Sequence, residues 1–205
     1  MEYLTHDLLK IHTDLNIQPL PDWAAASLEK CPFVVVRRAP SAGKMIPVGI
    51  RGANRKERQA AFISEEDVLE RISPTEITAE KRWNKLINFP RDLRMVLKKT
   101  SALFSNLNIR WGPTGSVGFY LASGLCVINE QSDLDLAIYS NSIFSRGAAK
   151  MILDDINAIA DGLNIDALVE TPVGAVLLTE NADIKRKILM RTVHGPVLIE
   201  NYKEC

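Results

Sequence analysis

The sequence predicts an α/β (α+β) protein in two parts. A small α+β module over residues 1–85 precedes a mixed sheet packed by helices over residues 86–205. Three observations predict this. The 205 residues are 46% hydrophobic and 24% charged, ordinary globular usage with enough chain to bury a core. Pro19, Pro21, Pro32, Pro40, Pro47 and Pro74 break the first part into short pieces. Beyond residues 84–92 helix and strand patterns alternate over longer stretches, without internal repeats.

In chain order, Asp22 ahead of Trp23-Ala24-Ala25-Ala26-Ser27-Leu28 reads as a helix N-cap. The β-branched run Phe33 to Arg38 reads as a strand, and Ile46 to Arg51 as a second, joined by a loop with Ser41, Ala42 and Gly43. Ser64 opens a short helix, with Asp67 in the capping-box position. From Asp92 to Leu107, residues Leu93, Val96, Leu97, Leu103, Phe104 and Leu107 recur at helical spacing. Asn108 to Trp111 reads as a strand entering a glycine-rich turn, and Asp133 to Tyr139 as the next strand. Ile143 to Leu163 has helical composition, with Phe144, Ala148, Ile152, Ile156 and Ile159 near one face. Ile165–Val169 and Val173–Leu178 are strands about a Thr171-Pro172 turn.

Charge and cysteine usage narrow the function. Lys plus Arg and Asp plus Glu both number 25, so the basic excess of a protein that grips nucleic acid polymers is missing. Cys31, Cys126 and Cys205 are far apart, form no CxxC pair and do not cluster with the histidines. Neither a disulfide scaffold nor a structural zinc site is expected. No run of apolar residues is long enough for a membrane span, and no basic n-region opens the sequence, so a cytoplasmic protein is expected.

Chemistry concentrates between Gly112 and Ala137, GPTGSVGFYLASGLCVINEQSDLDLA. Gly112, Gly115 and Gly118 have GxxGxxG spacing, neither a Rossmann fingerprint nor a Walker A loop. Exposed amides there, with the Ser116 hydroxyl, suit phosphate oxygens, and a plain tight turn is the other reading. Asp133 and Asp135 share a strand face while Leu134 and Leu136 turn to the core. Two such carboxylates resist joint ionisation unless a cation lies between them, and Mg²⁺ is the natural one. With twelve Asp in the chain, about one such pair arises by chance, so its apolar flanks carry the weight. Asp166 lies on the strand one helix later, and Glu170 shares its face. A solvated strand-end acid is the other reading of Asp166.

These pieces resemble the nucleotidyltransferase superfamily that includes DNA polymerase β, with its Gly-Ser turn, DxD strand and third carboxylate on a later strand. The resemblance implies a polymerase-β-like catalytic domain in which Asp133, Asp135 and Asp166 are catalytic and metal-binding. Gly115 and Ser116 would then anchor a triphosphate. The interval from Ser116 to Asp133 is longer than usual in that superfamily, and Gly118 to Gln131 is expected to form an extra hairpin.

Further stretches resemble one family within it, the phosphoribosyl-dephospho-CoA transferases of bacterial malonate decarboxylase, also called holo-acyl-carrier-protein synthases. They are His6-Asp7-Leu8-Leu9, Pro32 to Arg38, Pro47 to Gly52, Trp111 to Phe119, Ser132 to Leu136 and Glu170 to Ala175, nearly the whole chain in order. The resemblance implies transfer of a phosphoribosyl-dephospho-CoA group from triphosphoribosyl-dephospho-CoA to a serine of the apo acyl-carrier subunit, with release of pyrophosphate. It implies Mg²⁺ on the Asp133 and Asp135 carboxylates. Asp166 would complete a second metal site or accept the serine proton.

A basic cluster remains. Arg37, Arg38, Lys44, Arg51, Arg55, Lys56 and Arg58 face a single acid, Glu57, within 22 residues. Arg51, Arg55 and Arg58 would share one helical face if Gly52 permits a helix start. Arg51 and Arg55 are expected to bind phosphates of the dephospho-CoA arm, or the cluster receives an acidic carrier, and a solvated surface is the alternative. The competing functions are transfer to another acceptor, such as the citrate lyase carrier, and a non-catalytic CoA- or nucleotide-binding module. The intact pair Asp133 and Asp135 speaks against the last.

Overall fold

The computed structural model describes residues 2–13, 19–41, 43–54, 56–83, 86, 89–129, 132–184 and 186–201. The first part of the chain runs β1 (Leu8–Ile11), α1 (Asp22–Lys30), β2 (Phe33–Val36), β3 (Met45–Arg51), β4 (Arg58–Ser64), a 3₁₀ turn (Glu65–Asp67) and β5 (Val68–Ile72). These strands form one antiparallel sheet in the order β4-β3-β2-β1-β5. Period-two alternation in short apolar strands sends side chains to both faces. Leu9, Ile11, Val34, Val36, Val48 and Ile50 form a core with Ala24 of α1. Leu8, Phe33 and Ile72 point the other way, into the core of the second part of the chain.

That second part runs α2 (Pro74–Ile77), α3 (Glu80–Trp83), α4 (Arg91–Asn106), β6 (Arg110–Pro113), α5 (Gly115–Ser123), β7 (Leu134–Tyr139) and α6 (Arg146–Ile159). It continues through β8 (Ile165–Thr171), β9 (Gly174–Leu177), α7 (Leu178–Ala182), β10 (Lys187–Thr192) and β11 (Gly195–Glu200). The sheet order is β11-β10-β9-β8-β7-β6. Only β7 and β8 run parallel, because α6 crosses between them, so the sheet is mixed. Leu134, Leu136 and Ile138 of β7 share a core with Val96, Leu97 and Phe104 of α4 and Ile152 and Ile156 of α6. No helix among the described residues is long and apolar enough to cross a membrane.

Several sequence expectations shift. Pro21, not Asp22, is the N-cap of α1, and Asp22 instead places its charge in the first turn, where the helix dipole favours it. The Ser64–Asp67 capping box forms as expected but closes only a 3₁₀ turn. α4 ends in a left-handed Asn108 (φ 51°), with Ile109 N donating to Phe104 O at 2.9 Å, so β6 starts two residues later than its pattern suggests. Ser145 caps α6 and accepts from Ala148 N, which leaves Phe144 outside the helix.

Two expectations fail. Arg51 and Arg58 do not share a helical face. They are cross-strand partners at the end of the β3–β4 hairpin. Gly52 N donates to Glu57 O at 3.0 Å and the Glu57 carboxylate accepts from Ala53 N at 2.8 Å, so turn chemistry overrides the i, i+4, i+7 charge spacing. Arg55 lies outside the described residues. Gly118–Gln131 forms no hairpin among the described residues. Residues 115–123 are α5, with Val117, Phe119, Tyr120 and Leu121 buried and Gly124 in the left-handed C-cap position (φ 77°). Gln131 is outside the described residues.

Candidate active site

The site starts where β6 passes into α5. Gly112 can occupy its place only without a side chain, because a Cβ would lie 2.2 Å from the Pro74 carbonyl carbon of α2. Thr114 N then donates to Asp135 O at 2.8 Å, fastening the turn to β7. Gly115 is left-handed (φ 56°), and a Cβ there would fall 1.7 Å from Asp135 Oδ2. Glycine is required both for the backbone angle and for the approach of the carboxylate. The first amides of α5, around Ser116, have no intrahelical acceptor and favour an anion.

Asp133 is half-buried just before β7, and Asp135 is the second residue of the strand. Leu134 and Leu136 are buried on the opposite face, as expected. In the parallel register Asp135 lies beside Asp166 of β8, one strand spacing away, about 4.8 Å. Asp135, Asp166, Thr114 and Gly115 form one wall of a cleft of about 660 Å³. His6, Arg37, Arg51 and Arg58 of the first part line it as well. Asp133 and Ser116 sit next to this wall in sequence but do not line the cleft.

The opposing charges are braced. The Arg51 guanidinium lies 5.6 Å from the centre of the Phe119 ring on α5. Arg58 donates to the carbonyls of Asn54 at 3.2 Å and Glu57 at 2.9 Å. The Arg37 stem lies against Gly49, where a Cβ would come within 3.3 Å of it. The cleft is therefore basic on one side and acidic on the other. Among the described residues no group of three or more His, Cys, Asp or Glu gathers to hold a metal ion. Asp135 and Asp166 nonetheless offer hard oxygen donors side by side. That suits Mg²⁺, which commonly takes one or two carboxylates and completes its shell with water and phosphate.

Glu170 shares the face of Asp166 but lies four residues along β8, about 13 Å away. It is buried and does not line the cleft. Arg38 Nη2 donates to both its oxygens, at 2.6 and 2.5 Å, and His6 Nε2 lies 2.9 Å from Oε1. Burial pushes the Glu170 carboxyl up, but the hydrogen bond and charge of His6, with Arg38, outweigh it and hold the pKa below the usual glutamate value. Its cross-strand neighbour Tyr139 is shifted upward by burial first, then by the Glu170 and Asp7 charges. Asp7 is buried against Arg71 Nε at 2.6 Å, and burial raises its pKa despite that partner. His6 lies within the resembling segment His6 to Leu9, and no local signal pairs it with a residue 164 positions away.

Comparison with known proteins covers most of the chain. Residues 5–74 match the family model described as phosphoribosyl-dephospho-CoA transferase MdcG N-terminal domain. Residues 82–202 match the corresponding C-terminal domain model. A phosphoribosyl-dephospho-CoA transferase of Azotobacter vinelandii is 33% identical over 195 residues, 95% of this chain and 91% of the relative. One of Pseudomonas fluorescens is 34% identical over 202 residues, 97% of this chain and 93% of its own. One of Pseudomonas aeruginosa is 32% identical over 202 residues, 96% and 91%. No solved structure matches the chain.

Proposed function

The chain belongs to the phosphoribosyl-dephospho-CoA transferases, and from that premise we propose that it loads the apo acyl-carrier subunit of malonate decarboxylase. The donor is triphosphoribosyl-dephospho-CoA, the acceptor a carrier serine hydroxyl, and pyrophosphate the product released. The observation that carries this reading is the pairing of Asp135 with Asp166 across from Arg37, Arg51 and Arg58 in one cleft.

Each residue has a task in this reaction. The first part of the chain supplies the arginines, which hold phosphate oxygens of the donor and fix the α-phosphorus for in-line attack. Gly115 and the first turn of α5 receive the triphosphate end at the helix N-terminus, with Ser116 as a further donor. Asp135 and Asp166 would hold Mg²⁺, with Asp133 two residues before Asp135 as a carboxylate outside the cleft lining. Bound there, Mg²⁺ supplies charge stabilisation for the departing pyrophosphate. The carrier serine enters from the open side of the cleft and attacks the α-phosphorus. The bond to the pyrophosphate oxygen breaks and a phosphodiester remains on the carrier.

The test is pyrophosphate release with purified donor and apo carrier. Release is expected only with a divalent cation and a carrier whose serine is intact. Asp135→Asn is expected to lower kcat by about 10²-fold or more, several kcal/mol of charge stabilisation. Metal-independent release, or an active Asp135→Asn, would refute this assignment of the carboxylates.

A further inference from the structure

We propose that His6 is the general base of the transfer, taking the proton of the acceptor hydroxyl, with Glu170 as its positioning residue. The proposal rests on the transferase reading above and adds a residue that the DxD pattern does not include. His6 lines the same cleft as Asp135 and Asp166. Its backbone is left-handed (φ 75°), an arrangement that costs free energy for any residue with a Cβ. The surrounding turn over-determines that conformation. His6 N donates to Val36 O and Asp7 N to Leu4 O, both at 3.0 Å. The Asp7 carboxylate accepts from Leu4 N at 2.8 Å and from Arg71 Nε at 2.6 Å. A strained residue held this firmly at a cleft wall points to a task for its side chain.

The ring chemistry follows from its partner. Ionised Glu170 can only accept hydrogen bonds, so His6 Nε2 carries the proton in their 2.9 Å contact. In the neutral ring, the form that acts as the base, the lone pair is then on Nδ1. No protein group among the described residues bonds to that atom. A nucleophile, an imidazole and an orienting carboxylate form the arrangement that activates hydroxyls elsewhere in acyl and phosphoryl chemistry. Arg38 donates to both Glu170 oxygens, including the Oε1 that His6 contacts, and keeps that carboxylate aligned.

The step balances. The serine O–H bond breaks and its proton passes to Nδ1 while the oxygen bonds to the α-phosphorus. The bond from phosphorus to the bridging oxygen breaks, and its electron pair leaves with pyrophosphate. The imidazolium rests on the Glu170 carboxylate and returns its proton to solvent.

The test compares wild-type protein with His6→Gly, which a left-handed backbone accepts without strain, and with His6→Gln. Pyrophosphate release and carrier mass are both followed, and folding is checked by thermal melting. Both variants are expected to melt cooperatively and keep the donor KM. Their kcat should fall by about 10²-fold or more, and added imidazole should restore part of the rate of His6→Gly alone. A kcat close to wild type in either variant, or a loss confined to donor KM that imidazole leaves unchanged, overturns the proposal. The wild-type reaction run alongside tests the transferase reading separately, and its failure removes that reading and the base with it.

Discussion

At Gly115 a hydrogen in place of a methyl keeps the Asp135 carboxylate where it is. Gly115→Ala is expected to cost about 1–2 kcal/mol in stability from the left-handed backbone alone. The larger effect is on activity, because the added Cβ must displace Asp135 Oδ2. A loss of about 10²-fold in kcat is expected with the fold retained, and a fully active variant would contradict the placement. The acids of this site were legible in sequence because strand parity is local: Asp135, Leu134 and Leu136 point as alternation requires. Glu170 was legible only as an acid on the right face. Its bonds to Arg38 and His6 join residues 132 and 164 positions apart, which no periodicity reports. Those bonds have a pH signature. The folded Glu170 pKa lies below its ordinary value, so its stabilisation is complete above the ordinary glutamate range and is lost as pH falls through the lowered folded value. Glu170→Gln is expected to cost about 2–4 kcal/mol near neutral pH, discounted for the part-exposed His6 and Arg38. Urea unfolding of both proteins should show the gap closing in acid, and a gap constant with pH would contradict an ionised Glu170.

Among the elements, long amphipathic helices were the most legible. α4 buries Leu93, Val96, Leu97 and Phe104 at the spacing its sequence shows, although Leu107 serves as an exposed cap. Short elements were decided by tertiary and turn chemistry. The arginine spacing around Gly52 imitates a helix, yet the local hydrogen bonds of Glu57 close a hairpin. The glycines from 112 to 118 suggest a loop, yet Val117, Phe119, Tyr120 and Leu121 have a core to enter and a helix results. Glycine there serves close packing, which sequence alone does not separate from flexibility. Gly112→Ala tests that distinction. Backbone of α2 cannot yield as a side-chain tip can, so the variant is expected to lose about 1–3 kcal/mol in urea unfolding. An unchanged midpoint would show that α2 and β6 are not in rigid contact.

Across the whole molecule, the neutral net charge conceals a division of labour. The antiparallel sheet brings Arg37, Arg51 and Arg58 to one side of the cleft, and the mixed sheet brings Asp135 and Asp166 to the other. A core running through both parts, from Leu8 and Phe33 to Phe119 and Leu136, sets the two sides against each other. The direct measurement of the account is the intact mass of an apo malonate decarboxylase carrier subunit after incubation with the protein, triphosphoribosyl-dephospho-CoA and Mg²⁺. One added phosphoribosyl-dephospho-CoA group is expected on the carrier with wild-type protein, and none with Asp135→Asn. An unmodified carrier after incubation with folded wild-type protein and intact donor would contradict it.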